Sequence, residues 1–256
     1  KYYKYEDPEY SITQTPLNEQ DLKTMSEAVE VLRQFKGFSY FTEMSDIINR
    51  LEDHVASARM KTTPVIDFEK NESLKGLDYL DTIYHAIVNE HPIQLKYRSF
   101  KARSANSFIF YPYLLKEYRN RWFVYGVRGN GRILQNLALD RIQSLEVLPQ
   151  EHYIKNTFFD PNTFFDDLVG VTKNTGSVAE KVGFKVAAAE APYIITKPIH
   201  RSQQVMERLA DGSVILEIEV VINHELERVF FRYAEGIQVL YPKTLVELMG
   251  RKLKKA

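Results

Sequence analysis

The sequence predicts an α+β protein in three parts: a helical N-terminal connector, a small β-barrel of the Sm or SH3 type, and a C-terminal ferredoxin-like α+β domain. Apolar residues recur at helical spacing in the first part. Five short apolar runs separated by turn-rich stretches follow within residues 93–148, which is typical of a small barrel. The last part has the order strand–helix–strand–strand–helix–strand.

The first part, residues 1–73, carries two apolar stripes at helical spacing. One consists of Leu22, Met25, Val29 and Leu32, and the other of Met44, Ile47, Ile48 and Leu51. Such stripes are typical of packing or dimer surfaces. We therefore expect residues 1–73 to be a helical connector that takes part in dimerisation.

The barrel domain is expected at residues 74–150. It opens with the helix "LDYLDTIYHAIVNE", which Pro92 ends, and continues with strands at 93–98, 108–114, 121–128, 133–139 and 143–148. Residues 151–177, rich in Asn, Asp, Phe and Thr, are interpreted as a linker. Residues 178–256 form the C-terminal domain, with a hairpin turn at Asp211-Gly212 and a final helix.

Composition and motifs exclude several classes of protein. The 256 residues contain no cysteine, no apolar run long enough to span a membrane and no apolar signal-peptide core, which favours a cytoplasmic location. None of the six His residues has a metal-ligand spacing, and no nucleotide-binding or nucleophile-elbow motif occurs. The sequence therefore predicts no enzyme activity, no metal and no cofactor.

Charge is unevenly distributed although the formal net charge is zero. Residues 92–142 hold ten Lys and Arg against only two acids, Glu117 and Asp140. Residues 1–91 hold ten basic residues against seventeen acidic ones. A basic middle between acidic or neutral flanks indicates an anion-binding module.

The stretch "IFYPYLLKEYRNRWFVYG", residues 109–126, surrounds three basic residues with aromatic ones. One interpretation is a solvated basic hairpin. The other is a surface where Arg121, together with Arg98, binds phosphate while unpaired bases stack on nearby tyrosines. Alternation places Trp122 and Val124 on the opposite face of the strand, and we expect Trp122 to fill the barrel core.

Three segments, "IQLKYRSF", "IFYPYLLKEYRNRWFVYG" and "LALDRIQSLEV", resemble in order and spacing the WYL domain of bacterial transcriptional regulators. The signature triplet is Trp122-Phe123-Val124 here. "PIHRSQQVMERLADGSVILEIEV" and "GIQVLYPKTLVELM" resemble the extension that follows WYL domains, and "KYYKYEDPEYSI" resembles the connector that follows a winged helix-turn-helix.

The resemblance implies the ligand-sensing portion of a homodimeric transcriptional regulator, whose Sm-like domain binds a nucleic-acid or nucleotide-like ligand. DNA would be bound through a module absent from this chain. The implied ligand-binding residues are Tyr97, Arg98, Ser99, Arg121 and Arg141. In place of basic residues that many relatives carry before "LDRI", this chain has Gln135, Asn136 and Ala138.

Further predictions concern how other residues of these motifs pair and hydrogen-bond. Adjacent strand residues point to opposite faces, so Asp140 and Arg141 are not expected to pair with each other. For Arg141, a structural ion pair and a ligand contact both remain open. His200, Ser202 and Gln203 are expected to fix the C-terminal domain by hydrogen bonds rather than to contact ligand.

Two other functions remain open at this point. The chain can be a dimerisation and protein-interaction scaffold with a vestigial pocket, in which the acidic N-terminal helices are the functional surface. It can also be an Sm-like RNA-binding module that acts without a DNA-binding head.

Overall fold

The computed structural model describes residues 75–129, 131 and 133–255. The chain divides into two compact units, residues 1–85 and 86–256. The predicted connector helices and dimerisation region, residues 1–73, lie outside the described residues.

Of the first unit, the structure describes the start of the predicted helix. A 3₁₀ turn, Leu77–Tyr79, follows Gly76 in the left-handed conformation and leads into α1, Leu80–Val88, whose last residues belong to the second unit. Leu80 and Ile83 of the predicted apolar stripe are buried. The helix ends before Pro92, as predicted. Its end is closed by Glu90 at φ 54°, after which the His91 N–H donates to the Ala86 carbonyl at 2.8 Å.

The second unit begins with a five-stranded antiparallel sheet. Its strands are β1 Ile93–Tyr97, β2 Asn106–Tyr118, β3 Arg121–Arg128, β4 Leu134–Ala138 and β5 Ile142–Val147, in the order β4-β3-β2-β1-β5. All five predicted strands are confirmed. Within the described residues β4 and β5 are the two edges, so closure into an Sm-like or SH3-like barrel stays a prediction.

The pleat of this sheet explains its core. Alternate residues of β1, Ile93 and Leu95, are fully buried because successive strand residues point to opposite faces. Gly126 of β3 permits a close approach, since a Cβ there would lie 2.1 Å from the Tyr111 carbonyl oxygen and 2.7 Å from the Phe110 ring. Only glycine fits at that position.

The C-terminal part has a four-stranded antiparallel sheet in the order β7-β8-β6-β9. In chain order its elements are β6 Glu180–Val186, α2 Ala191–Thr196, β7 Gln204–Arg208, β8 Val214–Val220, α3 His224–Arg232, β9 Ile237–Tyr241 and α4 Lys243–Leu253. This is the predicted element order. The α+β class is confirmed, while the ferredoxin-like assignment stays a prediction.

Inward-facing residues of this sheet pack against α2, α3 and α4 in one apolar core. Phe184 of β6 and Phe230 of α3 are buried with ring centroids 5.1 Å apart. Helix α3 begins where the Asn223 side chain accepts the Leu226 N–H at 2.8 Å, which satisfies one of the free donors of the first turn. The β7–β8 turn contains Gly212 at φ +82°, as the Asp-Gly pattern predicted.

Residues 151–177, interpreted from sequence as a linker, pack against the first sheet and against α3. Tyr125 and Asn136 of that sheet both donate to the Val171 carbonyl, the latter at 2.7 Å. Asn223, at the start of α3, donates to the Val169 and Thr172 carbonyls. The predicted domain boundaries remain predictions. Among the described helices, none is both long and apolar enough to cross a membrane.

Candidate functional site

The β2–β3 hairpin places Arg121 beside the turn in "KEYRNRW". Tyr118 pairs with Arg121, and both intervening residues, Arg119 and Asn120, adopt the left-handed conformation at φ 52° and 57°. Two residues with positive φ form the turn that matches strand twist in hairpins. Arg121 is therefore the first residue of β3, with its side chain 45% exposed.

Arg121 and Arg141 meet at one carboxylate. Arg121 Nε lies 3.1 Å from Asp140 Oδ2, and Arg141 Nε lies 3.7 Å from Asp140 Oδ1. The first is a close ion pair. The second is too long for a hydrogen bond, and within the described residues neither Arg141 Nε nor Asp140 Oδ1 has a hydrogen-bond partner. Asp140 thus links the start of β3 to the segment that precedes β5.

The prediction that Asp140 and Arg141 do not pair with each other is wrong. Leu139–Arg141 form a 3₁₀ turn between β4 and β5 rather than a strand, so neighbouring side chains do not alternate between faces there. The turn also brings the Arg141 carbonyl to the end of β1, where it accepts the Arg98 N–H at 3.1 Å.

Tyr97 and Arg98 join this site at the end of β1. The Arg141 side chain hydrogen-bonds the Tyr97 hydroxyl. Burial raises the pKa of Tyr97, against the opposing effect of nearby Arg141, so the hydroxyl stays protonated near neutral pH. We call Tyr97, Arg98, Arg121, Asp140 and Arg141 the Arg141 cluster.

The predicted site residues are therefore brought together to different degrees. Tyr97, Arg121 and Arg141 meet through side chains, whereas Arg98 is attached through its backbone and has an exposed side chain. Ser99 follows Arg98, and its carbonyl accepts the Ala102 N–H at 3.0 Å within the β1–β2 loop, so its place beside the cluster follows from its neighbour Arg98.

The charge of the Arg141 cluster is only partly neutralised. The Arg121 and Arg141 guanidinium groups share the one Asp140 carboxylate, and Arg98 forms no ion pair with any described residue. Counted over the described residues of the cluster, three arginines and one aspartate leave an excess of two positive charges. Guanidinium groups suit phosphate because they present a planar fork of donors. Among the described residues, no group of three or more His, Cys, Asp or Glu is arranged to hold a metal ion.

Sequence reasoning placed the aromatic residues of this stretch incorrectly. Tyr111, Tyr113 and Tyr125 are buried, so they are not available as flat partners for bases. Trp122 is only partly buried, whereas Val124 on the same face is fully buried. Trp122 lies opposite Glu117 in the β2–β3 register, one residue pair from the hairpin turn and therefore near the end of the sheet.

The three tyrosines pack against a segment that we call the aromatic segment, residues 153–171. Tyr113 stacks on Phe158 with ring centroids 6.0 Å apart, and Tyr125 contacts the edges of Phe164 and Phe165 at 5.8 Å and 5.3 Å. The Tyr153 hydroxyl donates to the Pro112 carbonyl. Burial raises the pKa of Tyr113 to about 12.

A sequence signal for the aromatic segment exists. Asn-Thr-Phe-Phe-Asp occurs twice, at residues 156–160 and 162–166, and supplies all four phenylalanines of the segment. Paired aromatic residues repeated within a polar stretch indicate packing rather than a solvated linker.

His200, Ser202 and Gln203 fix the C-terminal domain, as predicted. His200 Nδ1 accepts the Ser202 N–H at 3.2 Å, and the Ser202 hydroxyl accepts the Glu219 N–H of β8 at 2.8 Å. Gln203 bridges the loop to α2, because its amide donates to the Ile194 carbonyl at 2.9 Å and accepts the Ile199 N–H at 3.0 Å.

Comparisons with solved structures give distant likenesses. The chain is similar to proteasome accessory factor B/C (PafBC) of Arthrobacter aurescens, with 14% identity, a TM-score of 0.35 and coverage of 90% of this chain. It spans only 33% of that protein. It is also similar to a CRISPR Cas-related protein, with 11% identity, a TM-score of 0.43, and coverage of 96% of this chain and 88% of the other. No curated protein matches the chain.

Two family models match the chain. The WYL domain model matches residues 78–147, which include the Arg141 cluster, and the WCX domain model matches residues 179–256. Together they cover more than half of the 256 residues. The chain therefore belongs to the WYL-domain family and carries a C-terminal WCX domain.

Proposed function

We propose that this chain is the ligand-sensing portion of a bacterial transcriptional regulator and that its WYL domain binds a nucleic-acid or nucleotide-like anion. The observation that carries the proposal is the Arg141 cluster. There β3 and the turn before β5 contribute Arg121 and Arg141, which share Asp140, and Arg98 at the end of β1 is joined to Arg141 through its backbone. Among the described residues this leaves a surplus of two positive charges and one exposed guanidinium without an ion pair, which favours a ligand that brings phosphate.

The proposed ligand contacts are those of Tyr97, Arg98, Ser99, Arg121 and Arg141. Arg98 is free to reach a phosphate without losing a partner among the described residues. The terminal N–H groups of Arg121 and Arg141 are the proposed donors to the ligand, while Asp140 pairs closely with the Arg121 Nε at 3.1 Å. We also propose a non-enzymatic protein that is cytoplasmic and homodimeric.

The test measures binding of a fluorescein-labelled, single-stranded oligodeoxythymidylate by anisotropy at several salt concentrations. The variant is Arg98→Ala/Arg141→Ala, because it leaves Asp140 its close partner Arg121 at 3.1 Å. Hydrogen bonds to charged groups contribute about 1.5–3 kcal/mol each, so we expect affinity to fall more than about tenfold. The slope of log affinity against log salt should flatten by about 1.4, at about 0.7 for each lost phosphate contact.

The matched control is Arg208→Ala/Arg251→Ala, in β7 and α4. It removes two exposed arginines from the C-terminal part and changes the net charge equally. Its affinity should stay near that of the unsubstituted protein. Equal losses in both double variants would mean that the strand responds to overall charge, and the proposed site would be wrong.

A second candidate function is a dimerisation and protein-interaction scaffold with a vestigial pocket. The observation that favours it is Asp140, which already occupies two of the arginines. This reading predicts a dimer by light scattering together with no oligonucleotide binding even at low salt.

A further inference from the structure

Phe100 is an apolar ring left in water beside the Arg141 cluster. It lies in the loop between β1 and β2, two residues after Arg98, and is 72% exposed. No other large apolar side chain among the described residues is more exposed. Burial in an apolar environment stabilises such a ring, so a ligand that covered it would gain that free energy.

The position of the Phe100 ring is nevertheless defined. The Arg141 guanidinium carbon lies 4.5 Å from the ring centroid, which is cation–π distance. Arg141 is itself held by Asp140 and by the Tyr97 hydroxyl. The start of the loop is fixed by the Arg98 N–H bond to the Arg141 carbonyl at 3.1 Å. One face of the ring is thus covered by a guanidinium, and most of the rest meets solvent.

Three tyrosines of the basic stretch cannot serve a ligand in this way. Tyr111, Tyr113 and Tyr125 are buried against one another or against the aromatic segment. Phe100, beside the Arg141 cluster, combines an exposed aromatic face with contact to Arg141.

We propose that Phe100 is the stacking platform for an unpaired nucleobase of the ligand. The inference rests on the proposed function and sharpens it. The cluster arginines take the phosphodiester, while Phe100 selects for a base that is not already stacked in a duplex. Every base has a flat π face, so a platform of this kind tolerates sequence but requires a base. The site would therefore prefer single strands to phosphate alone.

The test compares two fluorescein-labelled probes of equal length and charge: an oligodeoxythymidylate and an abasic strand that keeps the phosphodiester backbone. The unsubstituted protein should bind the base-bearing strand more tightly, by about five- to a hundredfold for one stacked base. Phe100→Ala should lose this preference and leave affinity for the abasic strand unchanged. Phe100→Trp should retain the preference, because it keeps a flat aromatic face.

Tyr193→Ala is the matched control, since it removes another ring that is 70% exposed, on α2 and outside the cluster. It should leave the preference intact. Equal binding of both probes by the unsubstituted protein overturns the role of Phe100 but leaves the proposed anion site standing. Binding of neither probe defeats both. If Phe100→Ala weakens both probes equally, the ring acts only by supporting Arg141, and the stacking proposal is wrong.

Discussion

In the aromatic segment, the rings of Phe164 and Phe165 are partly buried against Tyr125, whereas Phe100 beside the Arg141 cluster remains 72% exposed. Both regions also place a cation over a ring. Lys116 Nζ lies 4.6 Å from the centroid of Phe165, and the Arg141 guanidinium lies 4.5 Å from that of Phe100.

The difference lies in what covers the other faces of these rings. In the aromatic segment Phe165 also contacts the Tyr125 and Phe164 rings, so the cation adds to a packed group of rings. At Phe100 the structure supplies a cation on one side and leaves the ring otherwise exposed. Similar contacts therefore serve packing in one region and, as we propose, recognition in the other.

The largest expected effect is on stability, from a substitution where β3 packs closely against β2. Gly126→Ala would place a Cβ 2.1 Å from the Tyr111 carbonyl oxygen and 2.7 Å from the Phe110 ring, both inside the sheet. Backbone cannot yield at that distance without shifting β3 against β2. We expect a loss of about 3 kcal/mol or more in the free energy of unfolding, measured by urea denaturation.

Gly250→Ala provides the control for that change. Gly250 lies in α4, and nothing lies within 4 Å of a Cβ built there. Alanine favours the helix over glycine, so this variant should gain up to about 1 kcal/mol. The same substitution should thus have opposite signs at the two positions. A Gly126→Ala protein as stable as the unsubstituted one would show that β2 and β3 are not packed this closely.

A smaller effect separates packing from recognition. Phe164→Ala removes a partly buried ring that contacts Phe159, Phe165 and Tyr125. We expect a loss of about 2 kcal/mol in the free energy of unfolding, because a truncated ring leaves an unfilled space. Oligodeoxythymidylate affinity should change by less than about twofold, since the ring lies outside the Arg141 cluster.

Phe100→Ala should behave in the opposite way. An exposed ring contributes little to packing, so stability should stay within about 0.5 kcal/mol while affinity falls. If Phe164→Ala lowers affinity as much as Phe100→Ala does, the two regions are not separable and the comparison fails.

Element order was predictable because it depends on local patterns. Alternation located β1, Pro92 marked the end of α1, and Asp211-Gly212 located the β7–β8 turn. These signals involve residues that are neighbours in sequence, and side-chain period and turn chemistry act at that range.

The proximity of Tyr97, Arg121 and Arg141 was predictable from the sequence motifs, but their pairing through Asp140 was not, and a ligand role for these residues stays a prediction. A three-residue 3₁₀ turn, Leu139–Arg141, is too short to show a period, so the contact of Asp140 with two arginines was missed. The burial of Tyr125 depends on Phe164 and Phe165, about forty residues later in the chain. Alternation gives the face of a residue but not what covers that face, and Phe100 carried no signal of its own.

The smallest expected effect concerns His200, which ties the WCX domain to the end of the aromatic segment. The buried ring hydrogen-bonds the Asp166 backbone and accepts the Ser202 N–H at Nδ1. Burial lowers the pKa of His200, and nearby Arg201 lowers it further, against the smaller raising effects of Asp166 and Asp167. The folded protein therefore holds the neutral imidazole.

The sign of the pH dependence follows from that lowered pKa. Above the ordinary histidine pKa of about 6.5, both folded and unfolded states are neutral, and the full stability is present. As pH falls below it, His200 binds a proton in the unfolded chain but not in the folded one. The free energy of unfolding therefore declines until the pH falls below the folded-state pKa. The slope from one proton cannot exceed about 1.4 kcal/mol per pH unit.

His200→Gln should flatten the decline of the free energy of unfolding with falling pH, measured by urea denaturation at each pH. His152→Gln, at an exposed position, should leave that decline unchanged. If stability declines with falling pH in His200→Gln as it does in the unsubstituted protein, groups other than His200 cause the acid sensitivity. The His200 contact between the aromatic segment and the WCX domain would then not depend on pH.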